Sequence, residues 1–200
     1  MARQGDVVEN PRRLERVLLL ETGVETRGRR LALRVTAEPN GVSTPVHLHP
    51  RQRETFHVTS GRLTYAKGTS ERRTASSGET VVIEPGTPHS WWNDGPATLE
   101  MDGSLEPAGR FQVFMETVYG LIRDGKVTRR GVPNLLQMAV IAHEFREDIV
   151  LTELPRQAQV LLPLVALVGR LLGYRSWYPR YSDAATAHSS GNAAAIAETR

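Results

Sequence analysis

The chain changes its hydrophobic period once, and that switch limits its architecture more than any other feature. From Val17 to about Leu105, apolar residues come in short runs between turns. Leu31, Leu33 and Val35 alternate with other residues, Phe56 and Val58 follow a charged turn, Leu63 and Tyr65 follow Gly61, and Val81 to Ile83 lie between Gly78 and Pro85. Turn formers recur at Pro39 to Gly41, Ser60 to Gly61, Ser76 to Gly78, Pro85 to Gly86 and Asn93 to Gly95. Such spacing predicts an antiparallel β-sandwich or β-barrel. After Pro107 the rhythm becomes helical, with Phe111, Phe114, Met115, Val118 and Leu121 to Ile122 three or four apart. A second helix is expected from about Pro133, as an N1 proline, to Ile149, and a third from about Pro155 to Gly173, a glycine suited to a helix end. The predicted organisation is mainly β: an N-terminal arm at 1–16, a barrel at 17–106 and a helical subdomain at 107–181. Residues 182–200, small, polar and alanine-rich, are expected to form a disordered tail.

Two hundred residues that are 40% apolar suffice for one sizeable core. The 25 basic and 22 acidic residues nearly balance at +3, and scattered arginine explains a pI near 9.6 without a nucleic-acid partner. No membrane span is expected, since the longest apolar stretch, Val160 to Leu172, holds Pro163 and Arg170 and falls short of the roughly 20 residues required. Near the start, Arg3, Arg12, Arg13 and Arg16 mix with acids, and Val17 to Leu20 is too short for a secretory h-region, so a cytoplasmic location is expected. The absence of cysteine removes disulfides, thiolate metal sites and thiol nucleophiles. Any metal must then rest on carboxylates and the six histidines.

Three of those histidines form a pattern. His47 and His49 are two apart, so on a strand they face the same side. Glu54 follows a turn-like Pro50 to Arg53, and His89 follows the Pro85 to Pro88 turn; antiparallel strands can return both to that face. Three imidazoles and a carboxylate suit iron, manganese, nickel, copper or zinc. The other histidines lack such company. His57 has the opposite parity to Glu54, His143 lacks the second histidine that a zinc-protease helix needs because Glu147 stands there, and His188 falls in the expected tail.

The spacing Gly41, His47, His49, Glu54, Gly61 resembles the first motif of the cupin family, and Gly78, Gly86, His89 and Asn93 resemble most of the second. One departure is visible: Glu84 stands where the family usually has proline, with Pro85 one place later, although the Gly86 to His89 spacing is intact. The resemblance covers roughly residues 20–105 and implies a double-stranded β-helix, or jelly-roll, barrel with a metal held by His47, His49, Glu54 and His89.

Parity places Phe56 with Glu54 and Trp91 with His89, and adds Tyr65, Leu33 and Leu63 as candidate lining. A divalent ion with three neutral imidazoles and one carboxylate carries about +1, which favours an anionic or enolisable oxygen donor on a small organic substrate. The leading expectation is an iron(II)- or manganese(II)-dependent dioxygenase-like enzyme in which Glu54 tunes the metal and accepts a proton. The alternatives are a non-catalytic sensor or storage cupin, or an isomerase or cyclase acting by Lewis-acid enolisation. A homodimer is expected by analogy with cupins generally.

Overall fold

The computed structural model of the chain describes residues 2–68, 71–129, 131–152 and 156–182. Eleven strands precede or interleave three helices among them: β1 (Val7–Asn10), β2 (Glu15–Glu21), β3 (Leu31–Ala37), β4 (His47–Leu48), β5 (Arg53–Ser60), β6 (Arg62–Lys67), β7 (Arg73–Ser76), β8 (Thr80–Ile83), β9 (His89–Trp92), β10 (Leu99–Glu106), α1 (Phe111–Arg123), α2 (Leu135–Glu144), β11 (Val150–Leu151) and α3 (Arg156–Leu171). The strands form two antiparallel sheets in the orders β1-β2-β3-β10-β5-β8 and β11-β4-β9-β6-β7. This is the mainly β architecture expected from the alternating region, in the double-stranded β-helix form that the motif resemblance implies.

Alternation explains which way each strand faces. Val17 and Leu19 on β2, Val35 on β3, Phe56 and Val58 on β5, and Leu99 and Met101 on β10 are all buried, with exposed or half-buried residues between them. Leu63 on β6 and Trp91 on β9 complete the core from the second sheet. Each fully buried leucine contributes about 1.5–3 kcal/mol relative to exposure. Tight turns hold the strands in register. At Gly61 (φ +76°), a Cβ would stand 2.5 Å from the Thr98 carbonyl oxygen, which leaves room only for glycine.

Beyond the barrel the boundaries shift. Val7–Asn10, inside the predicted arm, pairs with β2 and lengthens the first sheet. α1 packs beside β1. Its Gln112 Nε2 donates to the Ala2 carbonyl at 2.8 Å and its Tyr119 hydroxyl donates to Glu15 at 2.7 Å. Pro133 lies just outside α2, not at its first position; Asn134 caps the helix instead, its side chain accepting from Gln137 N–H at 3.0 Å. α2 stops at Glu144 because the Phe145 carbonyl turns to accept from the amides of both Asp148 and Ile149. Val150–Leu151 then pairs with β4, so the helical region supplies an edge strand to the second sheet. A second core, including Val113, Leu121, Ile141, Phe145 and Tyr181, joins α1 to α2. α3 ends at Leu171, and Gly173 (φ +88°) just beyond it takes the left-handed conformation that closes the helix, near the end its sequence predicts. No helix among the described residues is long and apolar enough to cross a membrane. His188 and the expected tail beyond Ser182 lie outside the described residues.

Candidate metal centre

The two sheets bring His47, His49, Glu54 and His89 together. His47 pairs directly with His89 across β4 and β9, while Glu54 comes from the opposite sheet, where it pairs with Ile83 and Leu105. His49 sits one residue beyond β4, its carbonyl accepting from Gly86 N–H at 2.8 Å. Gly86 has φ +73°, and Thr87 N–H closes on the Glu84 carbonyl at 3.2 Å, so the turn forms with glutamate in place of the usual proline. All four side chains are buried, and one donor atom from each lies within 4.8 Å of the others.

The outward hydrogen bonds fix which atoms point inward. Nδ1 of His47, His49 and His89 contacts the carbonyls of Pro45, Asp148 and Thr87 at 2.9, 2.7 and 2.9 Å. A carbonyl can only accept, so each Nδ1 carries a proton and each Nε2 is the atom left to face the cluster. Nε2 of His49 and His89 and Oε2 of Glu54 are buried without a hydrogen-bond partner. His89 Nε2 lies 2.6 Å from Glu54 Oε2, and His49 Nε2 lies 3.8 Å from it. Lone pairs this close repel unless a proton or a cation sits between them. A divalent cation satisfies every orphaned atom at once, so the donor set fits a metal.

The electrostatics hold His47 and Glu54 in the forms that donate to a cation. Burial, followed by the neighbouring His89, holds His47 down at about 3, a neutral donor at any ordinary pH. Burial alone would raise Glu54, but the His89 contact and the three imidazoles outweigh it and leave the carboxyl at about 2. Burial alone would lower His89, yet the Glu54 carboxylate more than offsets that and its net shift is upward.

The expected lining residues divide. Phe56 and Trp91 are buried with ring centroids 6.2 Å apart, one step along their strands from Glu54 and His89, and Leu33 and Leu63 lie in the same core. Tyr65 is only partly buried at its margin. His57 is exposed and contacts Thr80 Oγ1 at 3.0 Å, as its parity predicts. Asn93 is a scaffold residue: its amide donates to the Ala37 and Ala97 carbonyls, and its side-chain oxygen accepts from Gly95 N–H. A cavity of about 540 Å³ lies away from the cluster, between the α1–α2 connection and the end of α3.

Sequence reasoning missed three neighbours. Asp148, 99 residues from His49, orients that ring through its backbone carbonyl. Phe111 at the start of α1 packs edge-on against His49 at 5.1 Å and covers it. Arg13 stacks its guanidinium 4.5 Å over Trp91 while pairing with Glu15 at 2.8 Å. The helical period marks Phe111 as apolar, but nothing in the sequence says what it faces.

Arg110 secures the Asp148 turn. Its backbone N–H donates to Asp148 Oδ1 at 2.7 Å, and its guanidinium donates to the Glu144 carboxylate at 2.9 Å and the Glu144 carbonyl at 2.6 Å. Burial pushes the Asp148 carboxyl up, with the Arg110 contacts working against that rise. Arg110→Met should therefore loosen His49 and lower metal affinity about tenfold, within the range for losing an outer partner of a metal-binding imidazole. Competition with a chromophoric chelator measures it, and Arg110→Lys should recover only part of the loss because it lacks the planar fork.

Fold and site together define a double-stranded β-helix protein with a buried donor set of three histidines and one glutamate that can hold a metal ion. Residues 33–103 match the family described as Cupin domain, the same stretch that carries the cupin-like motifs. A curated protein from Arthrobotrys oligospora, named as an oxidoreductase, is 32% identical over 108 residues, covering 50% of this chain and 42% of its own length. The chain therefore spans less than half of that relative. Similar solved structures include a protein from Klebsiella pneumoniae with a double-stranded β-helix domain (25% identity, TM-score 0.38, covering 40% of this chain and 66% of that one). Another is a Thermotoga maritima protein described as a predicted oxalate decarboxylase (16% identity, TM-score 0.46, covering 54% and 98%).

Proposed function

We propose that His47, His49, Glu54 and His89 hold one divalent transition metal, with iron(II) or manganese(II) favoured, and that the chain is an oxygenase-like enzyme acting on a small oxygen-bearing organic molecule. The observation that carries this reading is the set of buried, unpartnered atoms at His49 Nε2, His89 Nε2 and Glu54 Oε2. Hard and intermediate donors without sulfur suit these ions. When bound, such an ion supplies Lewis acidity and access to redox chemistry. The name of the Arthrobotrys relative favours oxidation over isomerisation.

The chain's own residues set the conditions. The imidazoles keep Glu54 ionised, so it offsets part of the cation's charge. Phe56 and Trp91 supply an apolar wall, and Phe111 covers His49 and keeps water from its ring. A low-polarity enclosure around one cation suits a small molecule with a carbonyl, enol or carboxylate oxygen.

Elemental analysis of protein purified without added metal, followed by oxygen-electrode measurements with 1,3-diketones, catechols, thiols and oxo acids, tests this. About one iron or manganese per chain with substrate-dependent oxygen uptake is expected. Stoichiometric metal without uptake across the panel would reduce the protein to a binding or isomerising cupin, and a chain that stays metal-free on titration would remove the metal reading altogether.

A further inference from the structure

α3 is half packed. On one side Ala166 is fully buried, and Gly169 approaches α2 so closely that a Cβ there would meet the Val140 side chain at 2.7 Å and the Leu136 carbonyl oxygen at 2.9 Å. The other side carries Val160, Leu161, Leu164, Leu167, Val168, Leu171 and Leu172, each between 42% and 79% exposed. Their three-and-four spacing makes a continuous stripe about 18 Å long. Together they expose on the order of 700 Å², more than the roughly 300–600 Å² of the largest apolar patch on a typical monomer and close to the ~800 Å² per partner of a standard interface.

We infer that this stripe is the interface between two copies of this chain, packed α3 against α3. Three observations select a second copy over other occupants. The exposed area matches what each half of a stable dimer needs. The one charged side chain described on the helix, Arg170, is drawn to Glu144 of α2 at 3.2 Å, so an uncharged seam meets its like without burying a charge. Residues 183–200 hold a single large apolar residue, Ile196, so their composition gives little apolar area to set against the stripe. Leu161, Leu164, Val168 and Leu171 follow the spacing at which paired helices interlock at an axial separation of about 8–10 Å. This inference is independent of the metal centre.

Sedimentation velocity of the full chain should show a dimer at low micromolar concentration, and Leu164→Glu combined with Leu171→Glu should weaken association at least about 100-fold while circular dichroism and metal content hold. The chain has no cysteine, so Leu164→Cys, near the middle of the stripe, is a second test in a less disruptive background. Mild oxidation should link it as a covalent dimer where the two copies of this position face each other across the seam. A wild-type monomer at about 100 µM, or a dimer that survives the double glutamate variant, would overturn the proposal. So would a monomer that co-sediments with phosphatidylglycerol vesicles, which would make the stripe a membrane-facing surface.

Discussion

His49→Ala is expected to reduce metal content from about one ion per chain to a small fraction, with affinity falling by more than ~100-fold, beyond the 10–100-fold typical of losing an outer partner. The substitution removes one of four converging donors and leaves the Asp148 carbonyl without its imidazole. It also opens the space behind Phe111, whose ring packs on His49. Metal content by mass spectrometry after dialysis against a weak chelator reads the effect directly. His57→Ala is the control, since that residue is exposed and bonded to Thr80 on the outer surface. Equal metal in His49→Ala and wild type would remove His49 from the donor set and, with it, the role given to Asp148.

Phe145→Ala should destabilise the fold by about 3–5 kcal/mol, the range for truncating a buried aromatic residue, and lower the melting temperature by on the order of 10 °C. Phe145 is among the most completely buried large side chains, with the Phe114 ring 5.9 Å away and the Arg110 guanidinium 5.0 Å over its face. Its carbonyl also anchors the turn through the amides of Asp148 and Ile149. Destabilisation should therefore travel with weaker metal retention, because the same turn aims the Asp148 carbonyl at His49. Chemical denaturation monitored alongside metal release separates the outcomes. A loss below about 1 kcal/mol, or a large loss with unchanged metal affinity, would mean that the second core does not support the site.

The candidate site was readable because its logic is local. Strand parity puts His47 beside His49 and sets Glu54 apart from His57, and turn residues bring back His89; a single register decides all four. The apolar rhythm likewise marked α1 and the glycine at the end of α3. What escaped notice depends on contacts that leave no trace in residue type. The Asp148 group on His49 is a backbone carbonyl, common to every residue, and β11 is two residues long, too short for any period. α2 ended early for a similar reason: apolar residues continue to Ile149, but Phe145 breaks the helix to cap it and fold the turn. Amphipathicity showed that α3 has an apolar face, not that part of that face stays outside the core.

The pairing of β11 with β4 has a bearing on what could be moved to another scaffold. The family region, residues 33–103, contains all four donor residues. Lifted out alone, it would leave the edge beside His47 bare and the His49 ring free to swing, since the segment holding both lies almost fifty residues downstream. The smallest transferable metal cradle therefore runs from β3 through β11, and the helices between are part of its frame.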